Sequence, residues 1–156
     1  MESVYLETTV ISYLVSRPSR DLLIAAHQQT THDWQTDRRQ KFDCCISQVV
    51  IDEASAGDPK EAEKRMEIIG VFPVLEVTEE PELLTKAIMS SGAIPQHAVR
   101  DAAHIAVAAV NNMDYLLTWN CKHLANAQII RKVSVVCNTT GYNMPVICTP
   151  EELMGG

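Results

Sequence analysis

The sequence predicts an α/β fold of three layers (α/β/α), with a mainly parallel central sheet between two layers of helices. Three observations predict it: short unbroken apolar runs of strand-forming residues, helical spacing between those runs, and polar residues that cut each run off at its carboxyl end. Unbroken apolar strands belong to a sheet buried on both faces, and such a sheet needs crossover helices and parallel neighbours. A chain of 156 residues, 46% of them hydrophobic, can bury one such core and is short for two, so residues 1–156 are read as a single domain.

The first run, Val4-Tyr5-Leu6, stops at Glu7-Thr8-Thr9, and helical spacing follows through Val10, Ile11 and Leu14, giving strand, turn and helix. Pro18-Ser19 predicts the start of a long polar helix or helix pair over 18–41, with Leu22, Leu23, Ala25 and Ala26 as its apolar positions. Cys44-Cys45-Ile46 reads as a second buried strand closed by Ser47, and Val49-Val50-Ile51 leads into a helix carrying Glu53. Asp58-Pro59-Lys60-Glu61 is a helix start, with Asp58 accepting N–H groups, Pro59 in the first turn and Glu61 reaching back as in a capping box. Gly70 is expected to end that helix in the left-handed region. Residues 72–77 follow as a strand, then 79–91 as a helix with Leu83, Leu84, Ala87 and Ile88 inward, broken by Gly92. The helix expected over 96–111 is apolar on every side of its second half except at His104, so that half should be buried all round. Tyr115-Leu116-Leu117 is a buried strand ending in Thr118-Trp119-Asn120, residues 133–136 are the expected final strand, and Thr149-Pro150-Glu151-Glu152 caps a short terminal helix.

Composition removes several classes. The most apolar run, 105–110, is far short of the roughly 20 residues a membrane helix needs, and the N-terminus carries neither a basic region nor an unbroken apolar stretch. A soluble cytoplasmic protein is therefore expected. Five cysteines without a C-x-x-C pattern indicate neither a disulfide framework nor a zinc site, and are read as reduced and mostly buried. A net charge of -7 argues against nucleic-acid binding by a general positive field. Between Arg17 and Lys41, however, five basic residues face three acidic ones, a surplus of two that leaves -9 for the rest. That segment is where RNA phosphates would first be held, unless its charges form an ordinary solvated helix face. No phosphate loop, dinucleotide glycine pattern or nucleophile elbow occurs.

Three carboxylates stand out because they fall at or beside apolar runs. Glu7 follows the first strand, Glu53 lies in the helix after the second, and Asp101 immediately precedes the buried half of the central helix. In a parallel sheet, sites form beyond the carboxyl ends of the strands, so these groups should meet there. Carboxylates gathered out of water repel one another, and a divalent cation is the simplest compensation. Oxygen ligands without a cysteine or histidine pattern point to Mg²⁺ or Mn²⁺. Each carboxylate also has a structural reading: Glu7 as an exposed strand end, Glu53 as a surface helix residue, and Asp101 as a partner of Arg100 or Lys122.

In order and wording, Glu7-Thr8-Thr9-Val10, Ser47-x-x-Val50-x-x-Glu53, Asp101-x-x-His104-Ile105-Ala106-x-Ala108 and Asp114-Tyr115-Leu116-Leu117-Thr118-x-Asn120 resemble the PIN-domain family, which includes many toxins of bacterial toxin–antitoxin pairs. The resemblance spans residues 4–124. It implies a metal-dependent endoribonuclease in which Glu7, Glu53 and Asp101 hold Mg²⁺ or Mn²⁺, Asn120 occupies the fourth acidic position, and Thr9 and Thr118 supply hydroxyls. A cation there would activate water and shield the scissile phosphate from the carboxylates. Two positions depart from the family: Glu7, where Asp is usual, is longer by one methylene, and Asn120, where Asp is common, offers a carbonyl oxygen but no charge. A second ion should accordingly bind more weakly. Asp114, at the start of its strand, belongs to the opposite end of the sheet.

Around this set, His104 lies one turn after Asp101 on the same face and is read either as a satisfied core histidine or as part of the site. Trp119 could stack on an unpaired base or pack over the sheet. Arg17, Arg20, Lys122 and His123 are candidate phosphate contacts. Cys121 has no histidine–carboxylate pairing to make it a nucleophile. Two functions fit: an endoribonuclease with RNA as substrate, an antitoxin as partner and a homodimeric state, or a catalytically weakened PIN-like module that binds RNA or protein. A small-molecule phosphohydrolase would need an aspartate nucleophile after the first strand, which Glu7-Thr8-Thr9 lacks.

Overall fold

The structure is a computed structural model that describes residues 1–155; Gly156, the last residue of the expected domain, lies outside them. Five strands form one parallel sheet: β1 (Ser3–Leu6), β2 (Asp43–Ser47), β3 (Val74–Leu75), β4 (Tyr115–Leu117) and β5 (Val146–Cys148), in the spatial order β3-β2-β1-β4-β5. The helices are α1 (Thr8–Val15), α2 (Leu22–Asp37), α3 (Gln48–Ala54), α4 (Pro59–Ile69), α5 (Glu79–Ser90), α6 (Val99–Val110) and α7 (Ala127–Thr140), with short 3₁₀ turns at Arg39–Lys41, Gln96–Ala98 and Pro150–Leu153. With the right-handed crossovers that parallel strands take, this strand order puts the helices before β3 on one face and those after it on the other. Accordingly α1 packs on α2, α3 and α4, and α5 packs on α6 and α7. The expected three-layer α/β arrangement is found.

β1 is the centre of this order. Val4 pairs with Cys44 on one side and Tyr115 on the other, and Leu6 lies opposite Leu117. The connection after β1 runs toward β2 and the one after the neighbouring β4 runs the opposite way, toward β5, so the topological switch between them opens a crevice at the carboxyl ends of β1, β2 and β4. Val4, Tyr5, Leu6, Ile46, Leu116 and Leu117 are fully buried, as expected of strands covered twice. In α6, Ala102 and residues 104–109 are all buried, and its small side chains let the helix lie close to its neighbours. Asp114 accepts the Ser3 N–H and hydroxyl at the amino end of β1, at the opposite end of the sheet from Glu7.

Several elements differ from expectation. Residues 133–136 are not a strand. They lie inside α7, which Asn126 caps through the N–H groups of Gln128 and Ile129 and which Gly141 ends at φ 87°. The last strand is Val146–Cys148, three residues paired in parallel with β4. The long helix starts at Leu22, because Asp21 caps it by accepting the Ile24 N–H at 3.0 Å, while the Ser19 hydroxyl accepts the Asp21 N–H one step ahead of the helix. β3 is two residues rather than six, since only Val74 and Leu75 pair with β2. Asp58 caps α4 as expected, but Glu61 pairs with Lys64, and Gly70 sits at φ -61°, in the right-handed region. The capping box does form at the last turn, between Thr149 and Glu152. The cysteines are free thiols; Cys45, Cys137 and Cys148 are buried, and only Cys121 is exposed.

Candidate metal and nuclease site

Glu7 arrives in the crevice as the residue that ends β1 and caps α1. Its N–H donates to the Leu117 carbonyl at 3.0 Å, and its Oε2 accepts the Thr9 N–H at 3.2 Å. The other oxygen, Oε1, accepts the hydroxyls of Thr9 and Thr118, each at 2.5 Å. Glu7 is only 3% exposed, which removes the reading of an exposed strand end. Thr9 is held in turn by the Trp119 N–H at 2.8 Å, and Thr118 by the Asn120 N–H at 2.9 Å. The loops after β1 and β4 are thereby tied together around one carboxylate.

Glu53, on α3, is half-buried. Its Oε1 accepts the Thr8 hydroxyl at 2.7 Å and lies 2.6 Å from His104 Nε2. His104 is completely buried, with Nε2 also 4.0 Å from Glu7 Oε2 and Nδ1 2.7 Å from the Tyr5 hydroxyl. Tyr5 lies 2.7 Å from Ser47 Oγ, which accepts the Val49 N–H at 3.1 Å as the cap of α3. One polar chain thus runs from the end of β2 through β1 and α6 to α3.

Electrostatics follow from that chain. Burial alone would strip His104 of its proton. The Glu53 hydrogen bond and the negative charges of Glu7, Glu53 and Asp101 outweigh it and raise the pKa above the ordinary value. For Glu53, burial pushes upward, but the His104 hydrogen bond and charge, the Thr8 hydroxyl and Arg100 hold the carboxyl below the usual range. Burial pushes the Tyr5 phenol up, so it remains neutral. Partial burial, and then Glu152, raise the Cys121 thiol, against any role as a nucleophile.

The ligand atoms of Glu7, Glu53 and His104 lie within 4.8 Å of one another, the one such group of metal-capable side chains among the described residues. Sequence reasoning put Asp101 in this position. Instead Asp101 Oδ2 is 3.0 Å from His123 Nδ1, a partner different from Arg100 or Lys122. His123 is fixed further by its N–H, which donates to Asn120 Oδ1 at 3.0 Å. The Asn120 carbonyl oxygen is thus occupied in shaping the loop after β4. His104 turns out to be both a satisfied core histidine and a member of the group. Tyr5, Thr8 and Ser47 were missed as polar partners. Thr8 and Ser47 had a signal in their positions at strand ends, whereas Tyr5, inside an apolar run, had none.

Of the expected RNA contacts, Arg17, Arg20 and Lys122 are exposed, the first two on the connection between α1 and α2. Trp119 is not free to stack on a base. It is 8% exposed, its indole N–H donates to Thr31 at 2.7 Å, and His27 already stacks on it at 4.0 Å.

No family model and no curated protein matches the sequence. Solved structures do match in fold. The crystal structure of VapBC2 from Rickettsia felis bound to a DNA fragment from their promoter aligns with a TM-score of 0.59 and 12% identity, over 94% of this chain and 97% of that one. A DNA-bound VapBC from Salmonella typhimurium aligns at 0.55 and 16% identity, over 96% and 99%. The shared architecture is the PIN-like fold that the order of motifs implied.

Proposed function

We propose that this protein is a divalent-metal-dependent endoribonuclease and the toxin of a toxin–antitoxin pair. One observation carries the reading: Glu7, Glu53 and His104, from three elements, converge within 4.8 Å at the switch point of a fold shared with VapBC proteins. The donor set fits a cation. Two carboxylates are brought out of water together, and the charge that now balances them is the imidazole's bond to Glu53. Mg²⁺ or Mn²⁺ is the cation proposed, held by Glu7 and Glu53 and by the field of Asp101; when bound it supplies water activation and charge neutralisation at the phosphate.

The chain's own groups do the rest. Thr9 and Thr118 fix Glu7 Oε1, which leaves Oε2 with the single N–H of Thr9 and 4.0 Å from His104 Nε2. Thr8 and His104 orient Glu53, and Asn120 and Asp101 orient His123 at the rim. Arg17, Arg20 and Lys122 are proposed to hold RNA phosphates, which would offset the protein's net negative charge locally. A cytoplasmic location and an antitoxin partner belong to the same proposal; among the described residues no helix is long and apolar enough to cross a membrane.

A second reading, a PIN-like binding module without catalysis, is favoured by two observations. The amide of Asn120 is engaged in its own loop, and the His104–Glu53 pair satisfies the crevice internally. Cleavage of a single-stranded RNA with Mg²⁺, with Mn²⁺ and with a chelator separates the two. The wild type should cleave only with metal. Glu7→Gln and Glu53→Gln should lose more than the roughly 10- to 100-fold typical of changing a residue that only hydrogen-bonds a metal ligand. Metal-independent cleavage, or full activity in both variants, would sink the nuclease reading.

A further inference from the structure

We infer that His104 is itself a metal ligand, and that it makes the site selective for first-row transition ions over Mg²⁺. The inference rests on the proposed reading that Glu7 and Glu53 hold the cation. The close group is Glu7, Glu53 and His104, and Asp101, expected from sequence as the third oxygen ligand, lies outside it and faces His123.

Three features prepare His104 for ligation. First, Nε2 is the atom that faces both carboxylates, 2.6 Å from Glu53 Oε1 and 4.0 Å from Glu7 Oε2. Second, the opposite nitrogen is fixed. Nδ1 meets the Tyr5 hydroxyl, Tyr5 meets Ser47 Oγ, and Ser47 is anchored by the Val49 N–H. A ligating histidine characteristically has its second nitrogen held this way, which sets the tautomer and the ring plane. The Tyr5 ring also packs edge-on against the imidazole at 5.7 Å, so the ring has little freedom to turn. Third, the oxygen of Glu7 nearest His104 is the less engaged one. Oε1 takes two hydroxyls, while Oε2 takes a single N–H at 3.2 Å.

The consequence for ion choice follows from ligand chemistry. Mg²⁺ takes an oxygen octahedron and gives up its waters reluctantly, whereas imidazole suits transition ions. A site with two carboxylates and one rigid imidazole gives Mg²⁺ one fewer oxygen and gives Mn²⁺ and its neighbours a nitrogen they accept. Tyr5 is then a positioning residue, acting through His104 without touching the ion.

Pulsed electron paramagnetic resonance on the full chain loaded with Mn²⁺ tests this, followed by titration with Mg²⁺. The wild type should show the ¹⁴N coupling of a directly bound imidazole and release its Mn²⁺ only to a large excess of Mg²⁺. His104→Gln should lose both the coupling and the preference. Tyr5→Phe should retain the coupling and weaken Mn²⁺ binding by about 10- to 100-fold; if His104→Gln fails to fold, this variant and the wild-type spectrum decide. Mn²⁺ bound without ¹⁴N coupling and displaced by equimolar Mg²⁺ would overturn the ligand assignment and leave the carboxylate site standing. A wild type that binds no Mn²⁺ would overturn the metal-site reading as well.

Discussion

His104 and Glu53 shift in opposite directions, and the protein's response to pH follows from that pair. His104 has its folded pKa raised above the ordinary 6.5, so its contribution is fully present below that pH and is lost as pH rises through the raised value. Glu53 is lowered from 4.5, so its contribution is present above that value and is lost as pH falls through the lowered one. Metal-free protein should therefore be most stable between about pH 4.5 and 6.5 and weaken on both sides. Urea midpoints measured with a chelator from below pH 4.5 to well above pH 6.5 check this; an alkaline decline that persists unchanged in His104→Gln would show that another group is responsible. At this scale the sequence disclosed Glu7 and Glu53 through their places after strands. It could not disclose that Asp101 turns to His123, because both sit on polar stretches with several equivalent partners within reach. It also named His104 without deciding its role, since a buried imidazole and a ligand present the same pattern one turn from an acidic residue.

Among the elements, α7 departs furthest from what local propensity dictates. Val133-Ser134-Val135-Val136 has β-branched residues in strand-like density, yet Val133 and Cys137 are buried while Val135 is 63% exposed, a helical and not an alternating pattern. Both end signals were in the sequence. Asn126 precedes the apolar positions Ile129, Ile130 and Val133, and Gly141 follows the last turn. Local β-propensity lost to caps and tertiary burial. Gly141 stands at φ 87° with no atom within 4 Å of an added Cβ, so Gly141→Ala meets backbone strain but no collision. The variant should lose about 1 kcal/mol or slightly more, read as a lower urea midpoint with an unchanged slope. No loss would mean that the turn relaxes. By contrast β1, β2 and β4 were legible because each is an unbroken apolar run, while β5 was missed for its brevity and its place at the sheet edge.

For the whole molecule, the surface distribution bears on assembly. Leu22 is 88% exposed, Leu23 66% and Ile24 38%, a contiguous apolar start to α2, whereas on α5 Leu84 and Ile88 belong to the core and Leu83, expected inward with them, is exposed. Light scattering after size exclusion should report a homodimer, and Leu22→Glu with Leu23→Glu should shift it to a monomer that keeps its fold; a wild-type monomer at micromolar concentration would refute this. Fold class was the most readable property at this scale, because alternation of strand and helix fixes a parallel sheet and the sheet fixes where side chains meet. One feature of that meeting point reaches beyond chemistry. Glu7 is simultaneously the cap of α1 and a member of the acidic group, so if the protein is the toxin proposed above, a survival-based mutational screen would score Glu7→Ala as harmless for two unrelated reasons, scarcity of folded protein and loss of activity. Glu53 caps nothing but holds the buried His104 and Thr8, so abundance measured alongside growth is needed at both positions to tell the two apart.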